Sequence, residues 1–191
     1  MWRKEDPTRW SQLFADLDAR GEALVQAEEQ GAAAERTRIE VGRLTLADRL
    51  RPALGQEVGV RCLGAGPLWG RLDHVGADWL ELTEPAVDGS VVPLAAVVAV
   101  SGLARWSTLA EGAVERRLGL RSALRRIGQD RASVRLVLTD GGTLAGTIDR
   151  VGVDFVELAE HGPGEPRRSS AVRRVWTLPL AGLAVVRRSP G

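Results

Sequence analysis

Two pairs of aspartates, Asp73 with Asp78 and Asp149 with Asp154, stand at the same spacing in two similar stretches of the chain. Paired carboxylates can act as general acid and base or hold a hard divalent cation. A competing reading follows from their setting: Asp78 and Asp154 each come two residues after a glycine, where aspartate caps its own backbone in a tight turn. His74 and His161 are the only histidines. They occupy non-equivalent places, and no partners flank them at the spacing of a metal site or a triad. Cys62 is the single cysteine, so neither an internal disulfide nor a cysteine-rich metal site can form. At an inward position of an alternating run it reads as a small core residue. No phosphate loop and no Gly-x-Gly-x-x-Gly after a strand is present. These residues predict no enzyme activity, no cofactor, no metal and no small-molecule substrate.

The arginines are the other chemical resource. Arg167-Arg168 and Arg173-Arg174 flank Ser169-Ser170, and Arg187-Arg188 closes the last apolar run. Clustered guanidinium groups contact phosphate oxygens with salt-dependent affinity, so these six positions are candidate RNA or DNA contacts. Trp176 stands nearby, where it can stack on a base or face a core. Against this, twenty-five arginines accompany one lysine, and the chain has neither asparagine nor tyrosine. Coding bias alone would raise arginine that far, leaving a solvated basic surface as the plain alternative. Residues 1–100 carry 11 basic and 16 acidic side chains, and residues 101–191 carry 15 and 9. That asymmetry suits a partner surface on one half, or attraction between halves or copies.

A third resource lies near the N-terminus. Trp10, Leu13, Phe14 and Leu17 recur at helical spacing after Asp6-Pro7-Thr8, which offers a cap and a first-turn proline. Such a stripe either docks on the protein itself or serves as a partner-binding or self-association helix.

The elements that would position these groups come from an internal repeat. Gly70–Leu82 and Gly146–Leu158 align without gaps, with seven of thirteen residues identical. Upstream, Leu44, Leu46, Leu50 and Leu54 correspond to Leu118, Leu120, Leu124 and Ile127, and both stretches end in Gly-Gln as a helix stop. Alternating runs follow at 58–62 and 134–138, then glycine turns, a second strand with Gly70 or Gly146 midway, a third strand and two last strands. A mid-strand glycine permits a bend or a close backbone approach. Pro93 and Pro179 align, each predicted at a bulge, a turn or an unpaired edge.

A helix followed by five short antiparallel strands resembles the Sm-like family, over about 43–101 and 117–188. The terminal Val-Pro-Leu and Leu-Pro-Leu segments are also similar to the Sm-like tail domain of ribosome maturation factors. The resemblance implies strongly bent five-stranded barrels and RNA binding by rings of them, strand four of one barrel pairing with strand five of the next. The sequence departs from the family's RNA site. Its uridine-contacting asparagine is absent, and Ala77-Asp-Trp-Leu80 and Val153-Asp-Phe-Val156 stand in that region.

The expectation is therefore an N-terminal helical segment (1–42) and two tandem Sm-like five-stranded bent barrels (43–103 and 104–191), each preceded by a short helix. The chain would be a non-enzymatic assembly or scaffold protein. Its N-terminal stripe and barrel edges would hold a protein partner or a second copy. An RNA- or DNA-binding regulator is the alternative. No stretch approaches the roughly 18 apolar residues of a membrane span. The N-terminus lacks a signal peptide's apolar core, so the expected location is the cytoplasm.

Overall fold

The computed structural model describes residues 41–85, 87–104, 118–162, 168 and 171–188. Apart from 41–44, these belong to the unit Thr45–Gly191. The N-terminal stripe and most of the segment joining the two copies lie outside the described residues.

Each copy opens with a helix. Helix α1, Leu46–Leu50, starts at a capping box: the Thr45 hydroxyl accepts from the Asp48 N–H while the Asp48 carboxylate accepts from the Thr45 N–H. Pro52 then fits a 3-10 turn at Arg51–Ala53. Helix α2, Leu120–Gln129, buries Leu120, Leu124 and Ile127, spaced to share one face. Its N-cap is Gly119, which has no side chain to cap with.

The first copy supplies strands β1 (Glu57–Cys62), β2 (Gly66–Val75), β3 (Trp79–Glu84), β4 (Val87–Pro93) and β5 (Val97–Ser101). The second supplies β6 (Ser133–Leu138), β7 (Thr143–Val151), β8 (Phe155–Glu160), β9 (Arg174–Pro179) and β10 (Leu183–Arg188). Pro93 and Pro179 each end a strand and open a 3-10 turn, where their missing N–H is not needed by a ladder.

Two separate closed barrels are not what these strands build. All ten lie in one open antiparallel sheet, in the order β5-β1-β2-β3-β4-β10-β6-β7-β8-β9. Closure within a copy would need ladders from β4 to β5 and from β9 to β10. The sheet instead joins β4 to β10, with Val91 opposite Val186 and Ser90 opposite Arg187. The first copy's fourth strand is thereby saturated by the second copy's last strand.

Burial explains why this joint holds. Leu183, Ala184, Val185 and Val186 of β10 are all buried, so the strand is covered on both faces. Ala184 and Val185 enter the first copy's core with Val60, Leu72 and Val92, while Leu183 and Val186 enter the second with Leu136, Leu158 and Ile148. Val91 of β4 crosses over to the second core, and Trp79 packs against it. Each fully buried aliphatic side chain contributes on the order of 1.5–3 kcal/mol. Neither core is complete without residues from the other copy.

The mid-strand glycines mark close backbone approach. A Cβ on Gly70 would stand 2.4 Å from the Thr83 carbonyl oxygen, and one on Gly146 would stand 2.1 Å from that of Ala159. Gly70→Ala and Gly146→Ala should each destabilise the fold by roughly 1–3 kcal/mol, read as a lower urea midpoint. Gly182→Ala, with nothing within 4 Å of its Cβ, should leave the midpoint almost unchanged.

Candidate functional site

Several charged and hydrogen-bonding groups converge where the copies meet. Asp78 does not cap its own turn. Its carboxylate accepts from the Leu120 N–H at 2.6 Å and so caps α2, the helix whose own N-cap is glycine. The Ala77 N–H and the Trp79 indole N–H both donate to the Leu118 carbonyl, the latter at 2.8 Å. Gly76 serves packing here: a Cβ would strike the Trp79 ring at 2.0 Å.

At the other side of the joint, Arg187 pairs with Glu84 at 3.3 Å and Arg188 pairs with Glu81. Ser90, fully buried, donates its hydroxyl to Glu84. The clasp is incomplete, since the Nε atoms of Arg187 and Arg188 are buried without a partner. Cys62 feels the same charges. Burial pushes its thiol up to about 11, with Arg187 pulling it down and Glu84 pushing it up. A thiol held protonated is a poor nucleophile.

The remaining candidates are engaged locally. Asp73 accepts from the Thr83 hydroxyl and from Arg71, and these contacts hold its carboxyl below the usual carboxylate range. His161 is buried, its Nδ1 donating to the Gly162 carbonyl and its Nε2 sharing a hydrogen bond with Thr147 at 2.8 Å. Asp154 is exposed. Among the described residues, no group of three or more His, Cys, Asp and Glu is arranged to hold a metal ion.

Of the six arginines proposed to contact nucleic acid, Arg187 and Arg188 are partly buried and paired with Glu84 and Glu81. Arg168, Arg173 and Arg174 are exposed around the start of β9, and Arg167 lies outside the described residues. Arg174 stacks over the Trp176 ring at 5.1 Å, and the Trp176 indole donates to Glu160 at 2.7 Å. Trp176 is partly buried against the second core, with the guanidinium covering one ring face. The Trp10, Leu13, Phe14 and Leu17 stripe also lies outside the described residues.

The repeat allows the joint to be compared with the two ends of the sheet. Register places Ser101 and Gly102 where the joint has Arg187 and Arg188. Thr45, self-capped with Asp48, stands in place of Gly119, and Phe155 stands in place of Trp79. Glu160 and Glu157, the counterparts of Glu84 and Glu81, are taken by Trp176 and by Arg150 at 3.6 Å. The clasp arginines and Ser90 are therefore replaced at the ends and the two glutamates already engaged, while Asp154, the counterpart of Asp78, is kept and exposed.

The two ends also differ from each other. Strand β9 begins at Arg174 and finishes at Pro179, with Trp176 tied to Glu160. Strand β5, Val97-Val-Ala-Val-Ser101, carries no charge and no proline, and Val98 is 58% exposed. The family resemblance implied strand edges open to a partner, and the sheet order places β5 and β9 at the two edges. No described helix is long and apolar enough to cross a membrane. No protein-family model, curated protein or solved structure matches the chain.

Asp78→Ala should cost about 0.5–2 kcal/mol as a lost cap, with the loss appearing at α2, in the other copy. Glu84→Ala should cost roughly 1–3 kcal/mol because it leaves the buried Ser90 hydroxyl without its acceptor and the half-buried Arg187 without its carboxylate. Glu81→Ala should cost less, its partner Arg188 being 40% exposed. Denaturation midpoints and amide exchange at Leu120–Leu124 check the order.

Proposed function

We propose that the chain is a non-enzymatic assembly module that joins a second copy through β5. The observation carrying this reading is the contrast between its edges. Sheet edges present unpaired backbone groups, and natural proteins blunt them with charge, proline or cover. Among the described residues, β9 has such devices and β5 has none.

Pairing of β5 with β5 across a two-fold axis is the simplest arrangement. Most homo-oligomers are two-fold symmetric, with the same patch on both partners. Antiparallel self-pairing centred on Ala99 sets Val98 against Val100, two apolar cross-strand contacts around a small residue. A head-to-tail arrangement that copies the internal joint is disfavoured, because Ser101 and Gly102 cannot supply the clasp and Thr45 already caps α1. The dimer would extend the sheet from ten strands and carry one basic second half at each end.

Sedimentation across the micromolar range tests this. The wild-type chain should sediment as a dimer. Val98→Lys should weaken it at least tenfold, equivalent to about 1.4 kcal/mol, and Val175→Lys on β9 should leave it intact. A monomer at every concentration, or dissociation by the β9 substitution in place of the β5 one, contradicts β5 self-pairing.

A further inference from the structure

Beside the C-terminus of α2 a cleft of about 470 Å³ is lined by Arg125, Gln129, Arg131, Thr147, Asp149 and Arg150. Three guanidinium groups against one carboxylate make it electropositive. The arginines come from three separate elements: Arg125 from α2, Arg131 from the turn after it, and Arg150 from β7. From this geometry we infer that the cleft is a phosphate-binding site of the second copy. The inference is independent of β5 pairing.

Backbone conformation supplies the second observation. Arg131 has φ of 50°, the one non-glycine residue with positive φ among those described. Its N–H donates to the Gly128 carbonyl as the chain leaves the helix. That is where a glycine is usual, because a Cβ makes the left-handed conformation unfavourable. An outlier of this kind points to a side chain kept for what it contacts.

Helix polarity alone does not account for the cluster. Basic residues in a last turn favour the negative end of the helix dipole, and that covers Arg126. It accounts neither for a strained arginine beyond the helix end nor for Arg150 on a strand. Arg150 reaches Glu157 at 3.6 Å with 78% of its side chain exposed, so a phosphate can approach it from solvent. Arg125 and Arg131 make no ion pair with a described residue. Gly128 lets the helix approach β7 closely, a Cβ there standing 3.3 Å from the Ile148 carbonyl oxygen, which brings the three arginines to one cleft. Several forked guanidinium groups suit the oxygens of one phosphate.

The source of the phosphate, a free ion or a nucleic-acid backbone, is separated by two arms of one experiment. Thermal unfolding of the whole chain is followed in phosphate and in chloride of matched ionic strength. Binding of a short single-stranded RNA is followed by fluorescence anisotropy. Phosphate should raise the wild-type Tm above the chloride control. Arg131→Gly should abolish that rise while leaving the Tm in chloride equal to or above wild type, since glycine relieves the backbone. Arg150→Gln, on the strand surface, should reduce the rise independently of any effect at the helix end. If both variants also lose RNA at least tenfold, the site takes a nucleic-acid phosphate. If RNA affinity is unchanged while the phosphate shift is lost, it takes a free phosphate. A wild-type Tm equal in phosphate and chloride, or a shift equal in wild type and both variants, overturns the assignment.

Discussion

The structure depends on one ladder, the antiparallel pairing of β4 with β10. A strand buried on both faces cannot be left unpaired, because its backbone N–H and C=O groups would lose water without gaining partners. β10 is such a strand, and β4 and β6 hold its two edges. Its side chains then divide between the two cores. The repeat supplies two similar halves, and this strand makes them one structure.

Around that ladder the polar contacts are asymmetric. The carboxylates all come from the first copy: Asp78 accepts from and caps α2, and Glu84 and Glu81 accept from the arginines that end β10, while the Trp79 and Ala77 N–H groups donate to Leu118. Such pairs contribute less than their number implies, since charges withdrawn from water must recover their solvation. Register specificity is the better-supported role. A one-residue slip of β10 would move side chains such as Leu183 and Val185 out of their cores and carry Arg187 and Arg188 away from their carboxylates. At the outer ends the repeat keeps the apolar frame, replaces the clasp arginines with Ser101 and Gly102, and engages Glu157 and Glu160 elsewhere.

Much of this was legible in the sequence, for specific reasons. The apolar positions of α2 and the alternation in β1 and β6 are local patterns, and the strands formed where alternation placed them. Gly70 and Gly146 stood out as points of close approach, and their cross-strand carbonyls supply the reason. The partner of β4 was not fixed by any local pattern, and two tandem bent barrels were expected where one continuous sheet formed. Asp78 looked like a turn residue because its partner is forty-two positions away. Arg187 and Arg188 looked like a basic surface because their carboxylates lie on β3, more than a hundred residues upstream. In each case the missing information was a long-range pairing.

The central claim is that the two copies form one cooperative unit through β10. Native-state hydrogen exchange in low denaturant reads this directly, because regions that unfold together share one opening free energy. The most protected amides of β1–β3 and of β6–β8 should converge on a single value equal to the global unfolding free energy. Two plateaus, with one half opening below the global value while the other stays closed, would contradict the account and show the copies to be separate folding units.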